Sequence, residues 1–383
     1  MRILNIICST NPQLGGVIEW VRQFSPIAAA LGHTVEVASM DNPDDDWVRN
    51  FPVPVHAFGH KFRYFYSSGL IKWIRENAGN YDVCITHGLW RFPSIATHMA
   101  LKNSNTPYFA YTHGMLDPWF KTYYPAKHLA KYPYWLLSEY RVLREAKGVI
   151  FTCEQEKIKA KKSFSPYKAK ELVTTIGIYP PAGDKTSQTA CFHERYPETE
   201  GKKLLLFLGR IHQKKGCDLL IQAFAKAATN HPDLHLVFAG PGDDSLITQL
   251  KQLASSNNIA ERVTWTGMIT GDTKWGAFYA SDAFILPSHQ ENFGISVVEA
   301  MACSIPVLIS NKVDIFKEVE NDNAGIIADD TLDGTCELIS KWLEMSEDDK
   351  QSMQKNALSC YQNRFEVHNA TQQLLELLET NLA

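Results

Sequence analysis

The sequence predicts an α/β protein built from two Rossmann-like domains. Short apolar segments typical of buried strands alternate with longer segments whose apolar residues recur at helical spacing, and this alternation starts afresh in the second half. Such a pattern is typical of parallel sheets covered on both faces by helices. A chain of 383 residues is also too long for one ordinary core and suits two domains of about 150 to 200 residues each.

The first half opens on a strand at 3–8, followed by a helix at 17–31. Its further strands are predicted at 34–38, 83–86, 108–111 and 149–152. The second half has predicted strands at 204–208, 235–239, 262–266, 283–286 and 307–309. Helical periodicity over 356–382 closes the chain. We therefore expect a first domain over 1–180, a second over 201–360 and a terminal helix over 361–383; the Pro, Gly and polar residues of 179–188 indicate a linker, assigned to 181–200.

Composition excludes several classes of protein. Hydrophobic residues make up 45% of the chain and charged residues 21%, as in ordinary globular proteins, and the net charge of −4 disfavours a nucleic-acid partner. No apolar run reaches the roughly twenty residues that cross a bilayer, and the first residues pass into a folded-domain pattern without a cleavage site. The eight cysteines form no C-x-x-C pair and indicate thiols in a reducing compartment. We expect a cytoplasmic protein.

Two glutamates surround the start of a helix after the strand at 283–286. Glu291 precedes the helical segment and Glu299 lies within it. Backbone N–H groups at a helix N-terminus are unpaired donors with partial positive charge, so this arrangement suits a ligand that is both hydroxylated and anionic, such as a nucleotide sugar. Taken alone, the spacing fits two solvated helix-end acids better than a ligand site.

A second loop carries cations after the strand at 204–208. Arg210 and Lys215 lie between Gly209 and Gly216, and a helical pattern follows at once. Loops at the carboxyl ends of parallel strands bind ligands in doubly wound folds. Arg as a planar fork and Lys as a compact charge could together hold a diphosphate, although a merely basic surface loop is the alternative.

Together, Gly-Arg-x4-Lys-Gly over 209–216 and Pro-Ser-x2-Glu-x-Phe-Gly-x4-Glu-Ala-Met-Ala-x3-Pro-Val over 287–307 resemble the family-4 retaining glycosyltransferases of the GT-B fold. The resemblance implies two Rossmann-like domains facing across a cleft and a terminal helix that crosses back to the first domain, with Phe365 at a position usually aromatic. It also implies transfer of a hexose-type sugar from a nucleoside diphosphate, by family frequency UDP, to an acceptor hydroxyl with retention at the anomeric carbon. Neither a cofactor nor a metal is implied.

The resemblance also assigns roles in the second half. Arg210 and Lys215 would stabilise the departing diphosphate, and Glu299 would hold the ribose hydroxyls. Glu291 would hold the sugar hydroxyls together with three backbone N–H groups, those of Asn292, Phe293 and Gly294. Met268, after the strand at 262–266, would contact the base, with an ordinary strand-end residue as the alternative. The pattern departs from the family at Ser304 and Ile176, which affects loop geometry more than the donor residues.

Candidate groups in the first half follow strand ends. Gly15 and Gly16 suit either a close approach to a ligand or a simple turn, and the resemblance favours a contact by Gly16. His87 and His113 each precede a glycine after a strand. By resemblance, His113 lies beside the reacting sugar, whereas a structural role for His87 is equally consistent. Asp117 could bind the acceptor hydroxyl, although a cap or turn fits it better.

The segment 119–170 is both basic and aromatic. It contains twelve lysines and arginines against four glutamates. Such a segment could rest on anionic lipid at the inner face of the membrane or grip a lipid-linked acceptor, and an ordinary basic surface over buried aromatics is the equal alternative. We therefore predict a nucleotide sugar and a sugar or lipid-linked acceptor as partners, with peripheral membrane contact as an open expectation.

Two other functions fit the same architecture. A nucleotide-sugar epimerase or hydrolase would need a base or a water in place of the acceptor. A catalytically silent protein could instead serve as a nucleotide-binding scaffold in polysaccharide assembly. The acid pairs at 44–46, 243–244 and 329–330 have polar, turn-like surroundings and are expected to be solvated loop acids rather than metal ligands.

Overall fold

The computed structural model describes residues 1–60 and 64–382, which form two compact units. One unit holds the described residues of Met1–Tyr179 and Glu366–Ala383, and the other holds Pro180–Phe365. Each unit contains a wholly parallel sheet flanked by helices. The expected pair of Rossmann-like domains is therefore confirmed.

The first unit is built on a seven-stranded sheet in the order β3-β2-β1-β4-β5-β6-β7. Its strands are β1 (Arg2–Ile6), β2 (Thr34–Ser39), β3 (Val55–Ala57), β4 (Val83–His87), β5 (Tyr108–Tyr111), β6 (Gly148–Phe151) and β7 (Glu171–Val173). Its helices up to the second unit are α1 (Gly16–Ala30), α2 (Asp46–Arg49), α3 (Ser68–Asn77), α4 (Phe92–Leu101), α5 (Trp119–Tyr123), α6 (Pro125–Ala130), α7 (Tyr132–Tyr134), α8 (Tyr140–Glu145) and α9 (Glu154–Ala160). A π-helical turn, Trp135–Glu139, joins α7 to α8.

The second unit has a six-stranded sheet in the order β10-β9-β8-β11-β12-β13. Its strands are β8 (Lys203–Leu208), β9 (Leu234–Ala239), β10 (Val263–Gly267), β11 (Ala283–Leu286), β12 (Val307–Ser310) and β13 (Gly325–Ala328). Its helices are α10 (Lys185–Arg195), α11 (Cys217–Ala228), α12 (Asp244–Ser256), α13 (Gly271–Tyr279), α14 (Ile295–Ala302), α15 (Phe316–Asn321), α16 (Leu332–Glu344) and α17 (Glu347–Cys360).

Both sheets reverse their strand order after the first strand, which creates a topological switch point in each. The switch lies between β1 and β4 in the first unit and between β8 and β11 in the second. At such a point, the loops after the two neighbouring strands diverge to opposite faces, so a crevice opens at their carboxyl ends. Each unit thus has one strand edge where a ligand is expected.

The central strands are buried on both faces, which explains their nearly continuous apolar sequence. Ile85 and Phe109 in the first sheet and Phe207 and Phe284 in the second are fully buried. Burying one such side chain stabilises the fold by about 1.5–3 kcal/mol. Burial of these apolar residues fixes the register between neighbouring strands. The register in turn sets where the carboxyl end of each strand lies along the sheet.

Residues 181–200, expected as a linker, contain α10 and belong to the second unit. The helix begins after Asp184, whose side chain accepts from the backbone N–H of Ser187, and it packs on α13. A Cβ added to Gly276 would lie 2.0 Å from the carbonyl oxygen of Gln188, so the two helices approach very closely. The residues just before Asp184, which include Pro180, Pro181 and Gly183, lack helix or strand structure. The linker prediction was therefore wrong for most of 181–200.

The end of the chain returns to the first unit, as expected. After a π-helical turn, Tyr361–Phe365, helix α18 (Val367–Leu382) packs on α1 through a buried face that includes Leu374 and Leu378. The backbone N–H of Val367 donates to the carbonyl of Ile178 at 3.2 Å. A Cβ on Gly177 would lie 2.6 Å from the Cα of Val367, so this glycine allows the close approach.

Across residues 1–60 and 64–382, none of the helices combines the length and the apolar character that spanning a bilayer would require.

Candidate functional site

Two loops meet at the switch point of the second unit. The loop after β8 carries Arg210 and Lys215, and the loop after β11 carries Glu291. Because β8 and β11 are hydrogen-bonded neighbours, their carboxyl ends lie side by side. The residues that the sequence singled out in these two loops are therefore brought to one edge of one sheet.

Backbone contacts lock the two loops together. The backbone N–H of His289 donates to the carbonyl of Lys214 at 2.7 Å, and Lys214 Nζ donates to Gln290 Oε1 at 2.7 Å. Gly216 has a left-handed φ of 64°, and a Cβ at this position would lie 2.2 Å from the carbonyl oxygen of Pro287. Glycine is thus required here both for the turn and for the close approach of the second loop.

Lys215 and Glu291 form a direct ion pair between Nζ and Oε2. Their side chains are only 18% and 22% exposed. Burial, followed by the charge of Lys214 and a smaller effect of Arg210, lowers the pKa of Lys215 to about 8, while contact with the Glu291 carboxylate favours the charged ammonium. The pair is a partly desolvated cation and anion, each able to exchange its partner for a group on a ligand.

Arg210 is exposed and lies beside this pair. It lines a pocket of about 570 Å³ with the loop residues that follow it, the segment after β9 and the first half of α12. Its charge also lowers the pKa of His212, after burial and the charge of Lys214. Positive charge therefore accumulates on the loop after β8, as the diphosphate prediction requires.

The loop after β11 is anchored on both sides of Glu291. The backbone N–H of Glu291 donates to the carbonyl of Lys312 at 3.1 Å, and its carbonyl accepts from Asp314 at 3.0 Å. Gly294, with a φ of 75°, immediately precedes α14. The Phe293 ring is 4% exposed and packs edge-on against Phe365 at 5.6 Å between centroids. Only the backbone of Phe293 is therefore available for the predicted contact.

Asn292 is half-buried between Glu291 and the buried Phe293. Its backbone, with that of Phe293 and Gly294, forms the turn that leads into α14. The carbonyl of Gly294 accepts from the backbone N–H groups of Val297 at 2.8 Å and Val298 at 3.2 Å. The turn that carries Glu291 therefore leads directly into the first turn of α14.

Glu299 lies within α14 and pairs with a residue that the sequence did not single out. Its Oε1 accepts from Lys274 Nζ of α13 at 2.6 Å, and the side chains are 12% and 22% exposed. Lys274 Nζ also lies 4.5 Å from the centroid of the Trp275 ring. No sequence signal marks Lys274, because the pairing depends on how α13 packs beside α14. The carboxylate of Glu299 is held in one orientation.

Met268 follows β10, two strands away from β8. Its side chain is 70% exposed. The neighbouring backbone is fixed, since the N–H of Gly240 donates to the carbonyl of Gly267 at 2.8 Å. The structure places Met268 at the same carboxyl edge as the two loops, and its contact with a base stays a prediction.

The first unit presents its candidates at its own switch point. Gly15 ends a short turn after β1 with a φ of 109°, and nothing lies within 4 Å of the position its Cβ would take. Gly16 begins α1. The backbone at this turn is therefore open, whereas the histidines after β4 and β5 are packed.

His113 and His87 contact each other. Nε2 of His113 lies 3.0 Å from Nδ1 of His87, and Nε2 of His87 lies 2.9 Å from Oδ1 of Asn5. Burial lowers the pKa of His87 to about 3 and that of His113 well below its ordinary value, so both rings are neutral at physiological pH. His87 is 5% exposed with both nitrogens engaged by protein groups, which fits the structural alternative rather than direct ligand contact.

A buried glutamate holds the loop of His113. Glu156 accepts from Thr112 Oγ1 at 2.5 Å and from the Gly114 backbone N–H at 2.6 Å. Its other oxygen accepts from the backbone and hydroxyl of Thr152 at 2.6 and 2.7 Å. Neither Glu156 nor Asn5 was predicted from the sequence, because a buried polar residue within an apolar pattern resembles any other turn or cap residue.

Asp117 is 8% exposed and caps the turn before α5. Its Oδ1 accepts from the backbone N–H of Trp119 at 2.7 Å, and its Oδ2 lies 3.6 Å from Lys159 Nζ. This is the arrangement expected of the cap alternative.

The basic aromatic segment 119–170 has both an exposed and a buried part. Tyr123, Leu129 and Leu137 are 57–69% exposed, whereas Trp135 is fully buried. Lys127 Nζ lies 4.9 Å from the ring centroid of Tyr124, itself 37% exposed. Exposed apolar side chains therefore alternate with lysines over α5 to α8.

The acid pairs have local structural roles. Asp243 caps α12 through the backbone N–H groups of Ser245 and Leu246, and Asp330 pairs with His289 at 2.9 Å and Lys312 at 3.6 Å. Among the residues that the structure describes, no group of three His, Cys, Asp or Glu side chains has metal-binding geometry.

Two family models match the chain. Residues 190–359 match glycosyl transferases group 1, and residues 14–169 match glycosyltransferase family 4. Together the two matches take in most of both units.

Individual relatives are similar over part of their sequences and in overall fold. Mannosylfructose-phosphate synthase of Agrobacterium fabrum is 31% identical over 33% of this chain and 29% of its own length. D-inositol 3-phosphate glycosyltransferase of an Arthrobacter species is 29% identical over 43% of this chain and 42% of its own. The alignments thus span less than half of these relatives. The crystal structure of Anabaena HepE in complex with UDP and glucose matches with a TM-score of 0.76 and 17% identity, over 99% of this chain and 100% of that one. The fold is therefore of the GT-B type, and the chain belongs to the family-4 glycosyltransferases, also described as glycosyl transferases group 1.

Proposed function

We propose that this protein is a retaining, metal-independent glycosyltransferase that moves a sugar from a nucleoside diphosphate, preferably UDP, to an acceptor hydroxyl. The observation that carries the proposal is the Lys215–Glu291 pair, held by two interlocked loops at the switch point of the second unit. A cation for phosphate and a carboxylate for hydroxyls are the two groups that a nucleotide sugar requires.

The pair suggests how the donor binds. The diphosphate takes over Lys215, and the released Glu291 carboxylate accepts hydrogen bonds from sugar hydroxyls. Each ion thus exchanges one charged or polar partner for another and is never left buried alone, which would be costly. Arg210, which is exposed on the same loop, adds a second cation to the diphosphate. The carboxylate of Glu299, oriented by Lys274, accepts from the ribose hydroxyls.

The chemical step places new negative charge on the diphosphate. The bond from the anomeric carbon to the phosphate oxygen breaks, and its electron pair stays on that oxygen. The acceptor oxygen bonds to the anomeric carbon from the same face, and its proton passes to the phosphate oxygen. Lys215 and Arg210 stabilise the charge where it develops, so they act on the transition state more than on the bound substrate. His113 supplies a neutral hydrogen-bonding group for the sugar.

The acceptor side rests on the segment 119–170. Exposed aromatic and aliphatic side chains among lysines favour a lipid-linked acceptor and peripheral contact with an anionic membrane. Co-sedimentation with vesicles tests this part. We expect binding to phosphatidylglycerol vesicles at low salt and little binding to phosphatidylcholine vesicles. Equal recovery in the supernatant with both would contradict membrane contact and leave the transferase proposal untouched.

A panel of nucleotide sugars, assayed by protection against thermal unfolding, identifies the donor, because a bound ligand stabilises the native state by mass action. The selected donor is then incubated with candidate acceptors, and proton NMR reads the anomeric configuration of the product. We expect retention, and unchanged turnover in EDTA. Inversion, or loss of turnover in EDTA, would contradict the corresponding part of the proposal. Conversion of the donor alone would instead indicate an epimerase or hydrolase, and no stabilisation by any nucleotide would indicate a scaffold.

A further inference from the structure

We propose that Asn5 and His87 are positioning residues that fix the tautomer of His113, so that Nδ1 of His113 meets the substrate as a hydrogen-bond acceptor. This inference rests on the proposed function for its catalytic consequence but not for the tautomer itself. It assigns a purpose to two buried polar residues that the apolar core of the first unit would otherwise exclude.

The three residues form one hydrogen-bonded chain across neighbouring strands. Asn5 lies on β1, His87 ends β4, and His113 follows β5, and these strands are adjacent in the sheet. Asn5 Oδ1 is 2.9 Å from His87 Nε2, and His87 Nδ1 is 3.0 Å from His113 Nε2. Since each residue is held by a strand or its end, the order of contacts is set by the sheet.

With the carbonyl oxygen of Asn5 facing His87, counting hydrogens along this chain gives the tautomer. A neutral imidazole has one N–H donor and one acceptor nitrogen. The carbonyl oxygen of Asn5 can only accept, so Nε2 of His87 carries the hydrogen and Nδ1 of His87 accepts. Nε2 of His113 must then donate, which leaves the lone pair on Nδ1 of His113. Among the described residues, the Nδ2 donor of Asn5 is buried without a hydrogen-bond partner, so no other group holds the amide in this orientation. Rotating the amide would reverse every bond of the chain, so the donor or acceptor character of His113 depends on the orientation of Asn5.

Protonation does not blur this assignment. A charged histidine ring carries a hydrogen on both nitrogens. In the hydrogen-bonded row of Asn5, His87 and His113, one of the contacts would then join two donors. Burial disfavours the charged form of both rings, and it lowers the pKa of each far below neutral pH. Each ring therefore carries one hydrogen across the physiological range.

Turning the ring of His113 would replace Nε2 by a carbon atom and break the hydrogen bond to His87. It stacks on Tyr111 at 4.1 Å between centroids with an interplanar angle of 18°, and on His87 at 5.2 Å and 20°. Its backbone has a left-handed φ of 49°, which costs energy for a residue other than glycine. Glu156 offsets that cost by binding the residues on both sides, Thr112 and Gly114. Among the described residues, Nδ1 of His113 has no hydrogen-bond partner.

Long-range proton–nitrogen NMR of histidine-labelled protein tests the inference directly, because the nitrogen shifts distinguish the two tautomers. His113→Asn assigns the signals of His113. We expect wild-type His113 to carry its hydrogen on Nε2. A wild-type protein with the hydrogen on Nδ1 would overturn the proposal, and this result requires no measurement of activity.

Asn5→Leu removes the acceptor while keeping a side chain of similar volume. We expect the signals of His113 to shift towards a mixture of tautomers, and kcat with the donor identified above to fall about tenfold, as expected for the loss of one oriented hydrogen bond. KM for the donor should change little. Thr86→Val is the matched control, because Thr86 is fully buried beside His87 on β4 but lies outside the chain.

The possible results separate the inference from the proposed function. An unchanged tautomer in Asn5→Leu would overturn the role of Asn5. A changed tautomer with wild-type kcat would overturn the catalytic role of the tautomer, and an equal loss in Thr86→Val would show a merely structural effect. The expected wild-type tautomer in a protein that transfers no sugar would retain the assignment of hydrogens and refute the proposed function.

Discussion

Replacing Gly216 by alanine tests whether the two loops of the second unit hold Lys215 in place. The backbone at Gly216 is left-handed, with a φ of 64°, and the new Cβ would lie 2.2 Å from the carbonyl oxygen of Pro287. Gly201 is a matched control in the same unit, because its φ is 70° and nothing lies within 4 Å of its Cβ position. The two variants share the conformational cost and differ in the contact.

The left-handed conformation alone costs an alanine roughly 1–2 kcal/mol. For a unit of this size, that lowers the melting temperature by about 5 °C, which is the expectation for Gly201→Ala. In Gly216→Ala, ordinary contact begins only at 3.4 Å, so one of the two loops must move by more than 1 Å. Forcing extra volume into packed backbone adds about 1–3 kcal/mol, and we expect a decrease near 10 °C.

The same displacement separates Lys215 from the position where it pairs with Glu291. Misplacing a catalytic group by about 1 Å can lower the rate about 100-fold. We therefore expect kcat/KM to fall about 100-fold in Gly216→Ala and to stay within about threefold of wild type in Gly201→Ala, measured by UDP release. Equal melting temperatures and equal rates for the two variants would refute the argument that the Pro287 contact positions the lysine.

Three further predictions concern single charges. Burial lowers the pKa of Lys215 to about 8, and a diphosphate binds the protonated ammonium, so UDP affinity should fall about tenfold per pH unit above that value. Calorimetry at pH 7 and 9.5 should show this fall in the wild type and not in Lys215→Arg. A similar fall in Lys215→Arg would show that another group titrates. Lys274→Met should raise donor KM about tenfold through a misoriented Glu299, whereas an unchanged KM in steady-state assays would exclude that role. Glu156→Gln should destabilise the first unit by about 3 kcal/mol, since an amide cannot accept all four hydrogen bonds. Urea unfolding measures the loss of stability, and Lys157→Ala serves as a near-neutral control.

Strands with a strong apolar pattern, and the residues that follow their ends, were predictable from the sequence. Side-chain pairs between different elements were not. The buried strands of both sheets were placed within one or two residues, because their apolar runs are bounded by glycine or polar residues. The edge strands β3, β7 and β13 were missed, since three or four residues at a sheet edge carry no detectable pattern. The short helix α10 was hidden by the Pro and Gly residues before it.

The candidate site shows the same division. Lys215 and Glu291 were predicted in the right loops, because both loops follow strands that the switch point makes neighbours. Their direct contact could not be predicted, because it depends on how closely Gly216 lets the loops approach. Lys274 and Asn5 lie on other elements, and only tertiary packing brings them to the predicted residues.

Because α18 packs on α1, the first unit consists of two separate stretches of the chain. This affects the order in which the two units can fold during translation. The second unit, Pro180–Phe365, is continuous, so it can fold as soon as it emerges. The first unit is synthesised earlier yet lacks α18 until the whole second unit has been made. The apolar face of α1 that α18 covers therefore stays exposed until after the second unit has been synthesised.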